Sequence, residues 1–306
     1  MTVLVTGAAG MIGSQIIQLL TARNVRVVAF DQLGRPANAP GGERCVWITG
    51  DVRDQHSLHR AMVSEGVARV IHAASILQSD CQQRPYLGVT VNVDGTVAVL
   101  EAAKNATIER VVFTSTIAVY GGTVTDPMTE THPCAPKSIY GCAKLLCEQV
   151  GMQYAAQKHF DFAALRFGLV YGAGRVGSAG VASRFQNFVR EAVEEGVIRL
   201  PRSNLRKPFL FSSDAAAAAV QACVLTGAST GGVFNISGQT HAMSEVGQLL
   251  QQMCPSAKIV VEEQVPQPGE IDGSLDTTRA EADLNFRPTV SLQQGLEKIK
   301  QFLLSR

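Results

Sequence analysis

The chain opens with Thr2-Val3-Leu4-Val5-Thr6, which runs straight into Gly7-Ala8-Ala9-Gly10-Met11-Ile12-Gly13. A β-branched run that stops at glycines spaced G-x-x-G-x-x-G, with helical spacing after the last, is compatible with few folds. The first glycine permits a tight turn and the second lets backbone amides approach a pyrophosphate. The third lets helix pack on strand. The helix that follows presents free N–H groups and a partial positive charge to that anion. The segment is therefore expected to open the first βα unit of a dinucleotide-binding sheet. Gly7, Ala9, Gly10, Met11, Ile12 and Gly13 are its expected cofactor contacts.

The rest of the chain extends the same rhythm. Short apolar runs at 25–31, 45–49, 70–72, 111–114, 162–170 and 233–236 read as strands. Several are apolar on both sides of the pleat, as buried parallel strands require. Helical spacing fills 11–22, 57–65, 93–104 and 138–158. This alternation predicts an α/β, Rossmann-like doubly wound parallel sheet with right-handed crossovers. After Phe167 the turn clusters Gly172-Ala173-Gly174 and Gly177-Ser178-Ala179-Gly180 break the pattern. Helices over 182–195, 214–225 and 292–304 and a strand over 208–211 follow. The expected organisation is a cofactor domain over 1–166, receiving further segments near 208–240, and a smaller C-terminal substrate-binding lobe within 167–306.

Composition narrows the function classes. With 27 Lys+Arg against 26 Asp+Glu the net charge is +1. Such a chain exerts no long-range pull on phosphate backbones or anionic lipid, so neither nucleic acid nor membrane is an expected partner. No apolar run nears the ~20 residues of a membrane span, and the first residues read as strand and turn rather than a secretory signal. Seven cysteines without a C-x-x-C pair fit a reducing cytoplasm.

Strand ends carry the next signals. Asp31 closes the second run, with Gln32 beside it. A carboxylate there accepts from both hydroxyls of an adenosine ribose and repels a 2′-phosphate, favouring NAD over NADP. The neighbouring Arg35 leaves dual specificity open, and a solvated turn Asp is the plainer alternative. Asp51 and Val52 end the third run, placed for an adenine amine and ring, or as an ordinary turn. The fourth ends His72-Ala73-Ala74-Ser75, small residues past which a cofactor can lie. His72 itself reads as a satisfied core histidine.

Tyr140 and Lys144 stand four apart at the start of a helix, which puts phenol and ammonium on one face. A free phenol has a pKa of about 10. An adjacent cation, together with a positive nicotinamide ring, is expected to lower it and make Tyr140 a general base for alcohol oxidation. Ser115 and Thr116 leave the fifth strand at the carboxyl edge, where α/β ligands sit. Thr116 can hold a substrate oxygen against Tyr140, or simply cap the next turn. Tyr120 has no lysine four residues on.

With these residues the chain resembles the extended short-chain dehydrogenase/reductases, the sugar epimerase/dehydratase family. The resemblance runs through Gly7–Gly13, Asp31, Asp51-Val52, His72–Ser75, Asn92-Val93-Asp94-Gly95-Thr96, 114–121, Tyr140/Lys144 and 166–172. It continues over 208–215 and 276–280 to Phe286-Arg287-Pro288. It implies a catalytic trio of Thr116, Tyr140 and Lys144, NAD as cofactor, and Asn92 supporting the site. Dehydrating members look similar but carry acidic residues just after the catalytic Ser/Thr, where this chain has Ile117 and Ala118. The family's Arg-x-x-Asn becomes Arg166-Phe167-Gly168-Leu169. An anchoring Arg aligns with Lys207, or with Arg206 if shifted by one, and another becomes Gln267 before Pro268-Gly269-Glu270.

Three functions compete at this stage. An NAD-dependent dehydrogenase of a small polar alcohol or ketone, such as a sugar or sugar acid, ranks first. A nucleotide-sugar epimerase with tightly held NAD ranks second, and a catalytically silent dinucleotide sensor last. A homodimer is expected from an apolar stripe of Val93, Val97 and Leu100 beside Leu145, Leu146 and Val150, as the resembled family commonly forms.

Overall fold

The computed structural model describes residues 1–122, 126–174, 181–203, 205–226, 231–263 and 270–305. Strand β1 (Thr2–Thr6) is buried from Val3 onward and leads into α1 (Met11–Ala22), whose Ile16, Ile17 and Leu20 face the sheet. Next come β2 (Arg26–Asp31), β3 (Cys45–Thr49) and α2 (Gln55–Ser64), whose N-cap Asp54 accepts from the Ser57 N–H. After β4 (Arg69–His72), two short helices, α3 (Gln78–Gln83) and α4 (Pro85–Val89), approach a π turn at Thr90–Asp94. The turn leads into α5 (Gly95–Asn105), so the helix expected at 93 begins earlier. Then follow β5 (Arg110–Thr116), α6 (Ile139–Ala156), capped by Ser138, and β6 (Asp161–Phe167).

The strand expected over 162–170 breaks at Gly168. A β-carbon there would lie 2.6 Å from the Pro208 carbonyl oxygen, so the chain leaves the main sheet and starts β7 (Leu169–Tyr171) in another. The lobe adds α7 (Val181–Arg190), shorter than expected because it loosens into a π turn at Glu191–Glu195. Then come β8 (Val197–Pro201), β9 (Arg206–Phe211), α8 (Ser212–Val224) and β10 (Gly232–Ile236). The chain ends with β11 (Thr240–Ala242), α9 (Met243–Met253), β12 (Lys258–Glu262), α10 (Thr278–Leu284) and α11 (Leu292–Leu304).

Among the described residues the main sheet has seven parallel strands in the order β10-β6-β5-β4-β1-β2-β3. The order reverses between β1 and β4, which opens a crevice at the carboxyl ends of those strands. Helices α1 and α8 bury one face under Val3, Val5, Val112 and Leu165. Helices α2, α5 and α6 bury the other around Leu4, Val28, Phe113 and Phe162. The lobe has its own core, in which Tyr171, Phe185, Phe209 and Phe211 meet Leu292, Leu296 and Ile299. Its sheets are β11-β9-β7 and β12-β8.

Of the stripe expected at a dimer face, Leu100 is instead buried in the core with Leu58 and Met62. Val93 and Val97 are half-buried, whereas Leu146 is 49% exposed; Tyr86 at 83% and Val89 at 43% join it on the surface.

Candidate functional site

The glycine turn lies on the segment that follows β4. Gly7 has φ +67°, and a β-carbon there would come within 2.7 Å of the Ala74 nitrogen. One on Gly13 would lie 2.1 Å from the Gly7 carbonyl oxygen. Helix α1 has no side-chain cap and no acidic residue in its first turn, so the N–H groups around Met11 and Ile12 and the positive helix end are left for an anion. At the tip of β2, Asp31 accepts from the Ala9 N–H at 3.0 Å and the Leu33 N–H at 2.9 Å. This ties its carboxylate to the turn, with Gln32 exposed beside it. A cradle that any side chain would fill, uncapped donors and a carboxylate at the strand tip fit the pyrophosphate and adenosine ribose of NAD.

Asp51 and Val52 follow at the end of β3. Arg53 grips the Asp51 carboxylate with its guanidinium at 2.5 Å and its N–H at 2.9 Å, holding it below the usual carboxylate range. Its oxygens are thus bonded to Arg53 while the side chain stays 40% exposed. Val52 is buried against Gly95.

On α6, Tyr140 and Lys144 lie one turn apart, and Lys144 is 2% exposed. The Lys144 ammonium donates to the Thr114 carbonyl at 2.8 Å, sits 4.5 Å from the centre of the Phe113 ring and 5.8 Å from that of Tyr140. Thr116, closing β5, accepts from the Ala118 N–H at 3.2 Å. The hydroxyls of Thr116 and Ser75 lie near enough to the Tyr140 phenol to favour its charged form. Thr116, Tyr140 and Lys144 therefore converge as expected. Their electrostatics do not follow the simple expectation. Burial pushes Tyr140 up to about 12, more than Ser75 and Thr116 pull it down, and the same burial pushes Lys144 down to about 8. Lysine alone does not make this phenol a base.

Asn92 sits in the π turn and grips the loop after β4. Its carbonyl accepts from the Ile76 N–H at 2.8 Å and the Ser75 hydroxyl at 3.2 Å, and its amide donates to the Ile76 carbonyl at 2.9 Å. It thus shapes the wall formed by Ala73, Ala74 and Ser75. The Ser115 side chain turns the other way, donating to Glu148 in a short hydrogen bond. His72 is the core residue expected from the sequence, bonded to the Thr6 and Thr96 hydroxyls at 2.6 and 3.0 Å, and burial pushes it down to about 3. Tyr120 is locked between Arg166 and Asn235.

Sequence reasoning missed Glu148. The available signal was its place four residues beyond Lys144, on the same face of α6. Arg166, aligned with a family anchor, is only 3% exposed and pairs with Glu148 at 2.7 Å, so it faces inward. In the lobe, Lys207 pairs with Glu270 at 2.7 Å, while Arg206 reaches Glu245 and the Thr240 carbonyl on the surface. Gln267 lies outside the described residues. Among the described residues, no three His, Cys, Asp or Glu side chains are grouped to hold a metal, and no helix is long and apolar enough to cross a membrane.

The family model for the NAD dependent epimerase/dehydratase family matches residues 3–237. A relative from Methanocaldococcus jannaschii, provisionally assigned as a UDP-glucose 4-epimerase, is 28% identical over 307 residues, 98% of each chain. The UDP-glucose 4-epimerase of Lacticaseibacillus casei is 34% identical over 182 residues, which are 59% of this chain and 55% of the relative. Among solved structures, the UDP-glucose 4-epimerase of Thermus thermophilus in complex with NAD matches with a TM-score of 0.85 and 27% identity, over 99% of both chains.

Proposed function

Because the chain belongs to the NAD dependent epimerase/dehydratase family, we propose that it is a nucleotide-sugar epimerase inverting one carbinol carbon of a UDP-hexose. One observation carries the reading. Thr116, Tyr140 and Lys144 converge beside the glycine turn in a chain that matches, from end to end, a provisionally assigned UDP-glucose 4-epimerase. The relatives' names thereby put the epimerase ahead of the dehydrogenase that the sequence alone ranks first.

NAD is held by the Gly7–Gly13 turn and Asp31, and when bound supplies the reversible two-electron oxidation of the carbinol. The chain's own residues handle the proton. Thr116 orients the sugar hydroxyl, and Tyr140 takes its proton and returns one when the carbon is re-reduced on the other face. Lys144 keeps a cation beside the phenol. The main sheet is the cofactor domain and the lobe around β7 to β9 the substrate-binding part. Exposed Tyr86 and Val89 on α4 and Leu146 on α6 support a homodimer built on those two helices. The free cysteines fit a reducing cytoplasm.

A second reading rests on the lobe. Among the described residues, two of the cations aligned with the family's anchors are engaged, Arg166 inward by Glu148 and Lys207 by Glu270, which favours a smaller substrate than a nucleoside diphosphate sugar. Conversion of UDP-galactose to UDP-glucose without net NADH is the expected outcome. NADH accumulating with a sugar or sugar acid, and no UDP-sugar conversion, would instead establish the dehydrogenase.

A further inference from the structure

Behind the acid/base pair lies a buried polar cluster that the proton transfer does not touch. Glu148 is fully buried one turn beyond Lys144. Its Oε1 accepts from the Ser115 hydroxyl and from Arg166 Nε at 3.1 Å, and its Oε2 accepts from Arg166 Nη2 at 2.7 Å. Arg166 Nη1 donates to the Tyr120 hydroxyl at 3.0 Å and the Glu130 carbonyl at 3.3 Å. The Tyr120 hydroxyl in turn donates to Asn235 at 2.7 Å, and the Asn235 N–H donates to the Glu130 carboxylate at 2.8 Å. The cluster joins α6 to β5, β6 and β10.

A buried ion pair rarely stabilises a fold more than apolar residues of the same volume would, so its placement here calls for another reason. The last three residues of β5 supply it. Thr114 is gripped through its carbonyl by Lys144, Ser115 through its hydroxyl by Glu148, and Thr116 faces Tyr140. One helix thus holds three successive positions of one strand. A slip between the two would separate Thr116 from Tyr140.

We propose that Glu148 is a positioning residue of the active site: clamped by Arg166, it fixes Ser115 so that Thr116 meets Tyr140, and it sets a negative charge beside Lys144. This rests on the proposed reaction only in that the reaction uses Tyr140 and Lys144. The ionisable groups around the pair are Tyr140 and Cys147 on α6, Cys81 of α3, His72 of β4, Tyr120, Cys134 and Glu130 after β5, and Arg166 of β6. Burial pushes the phenols and thiols among them up and His72 down, so all of these are neutral near pH 8. The Glu148 carboxylate supports the ammonium form of Lys144 against burial.

The test compares Glu148→Gln, Glu148→Asp and Ser115→Ala in the NAD-loaded protein. Turnover of UDP-galactose is measured alongside the titration of Lys144, followed by NMR of labelled lysine side chains without substrate and assigned with Lys144→Met. Glu148→Gln is expected to lower kcat by about tenfold or more with KM within about threefold. It should also move the Lys144 midpoint down by about half a pH unit or more, since the buried Arg166 charge is then uncompensated. Glu148→Asp keeps the charge, so the midpoint stays while kcat falls with the lost reach to Ser115. Ser115→Ala lowers kcat about three- to tenfold with the midpoint unchanged. An unshifted midpoint in Glu148→Gln overturns the electrostatic part, and full kcat in Ser115→Ala overturns the positioning part even if Glu148→Gln does not fold. A wild-type protein inert toward UDP-sugars counts against the proposed reaction, and the Lys144 titration still decides for or against Glu148.

Discussion

Tyr140 shows how far a residue's role depends on its surroundings. Burial leaves it protonated up to about 12, so it becomes a base only when a further positive charge, such as an oxidised nicotinamide ring, enters beside it. Tyr140→Phe is expected to lower kcat by about 10³-fold while NAD affinity stays within a few-fold, because it removes the proton carrier and little else. Single-turnover kinetics with calorimetric NAD titration check both halves. His72 makes the opposite kind of prediction. Its folded pKa, about 3, is far below the ordinary 6.5, so on acidification the unfolded chain takes up a proton that the folded one refuses. Its contribution is complete above pH 6.5 and is lost as pH falls toward about 3, with a slope of about 1.4 kcal/mol per pH unit. Urea midpoints at pH 7 and pH 5 should diverge more in the wild type than in His72→Gln.

Whole elements are held by groups that no local pattern announces. Helix α8 ends over the amino ends of β4 and β5, where two arginines meet its last carbonyls. Arg69 donates to the Cys223 carbonyl at 2.7 Å, and Arg110 donates to those of Leu225 at 2.5 Å and Ala222 at 3.2 Å. Cations at a helix C-terminus complement its dipole and satisfy carbonyls that would otherwise lack partners. Arg110→Ala should cost about 2–4 kcal/mol in urea unfolding. It should leave NAD affinity within about twofold, since it acts at the end of the sheet away from the glycine turn. Such long-range pairings were illegible beforehand. Strand periodicity, the glycine turn and the Tyr140–Lys144 spacing are local, and they were enough to place the main sheet and to set Tyr140 and Lys144 one turn apart on α6. The Ser115–Glu148 contact joins residues 33 apart and the Arg166–Glu148 contact residues 18 apart, distances that periodicity does not reach. The lobe was read least well. β12 is exposed along its whole length, so no buried face marks its sequence as strand.

At the scale of the whole molecule, Tyr86 and Val89 of α4 and Leu146 of α6 stay exposed although the core beneath them is complete. Leu146→Glu places a charge at a position 49% exposed in one chain, so the fold should tolerate it within about 0.5 kcal/mol. A dimer built on these residues would bring two such charges together and dissociate. Sedimentation at micromolar concentration is expected to show a dimer for the wild type and a monomer for the variant, at equal melting temperature once both are monomeric. The order of the strands has a consequence of a different kind. β10 pairs with β6, yet in the chain it follows the first half of the lobe. During synthesis, β6 must therefore emerge from the ribosome with one edge bare and keep it bare until residues 232–236 arrive. For that interval the nascent chain carries an unpaired apolar strand edge, the feature most prone to recruit a neighbour on the same polysome. A fragment stopped at residue 166 would carry that hazard permanently.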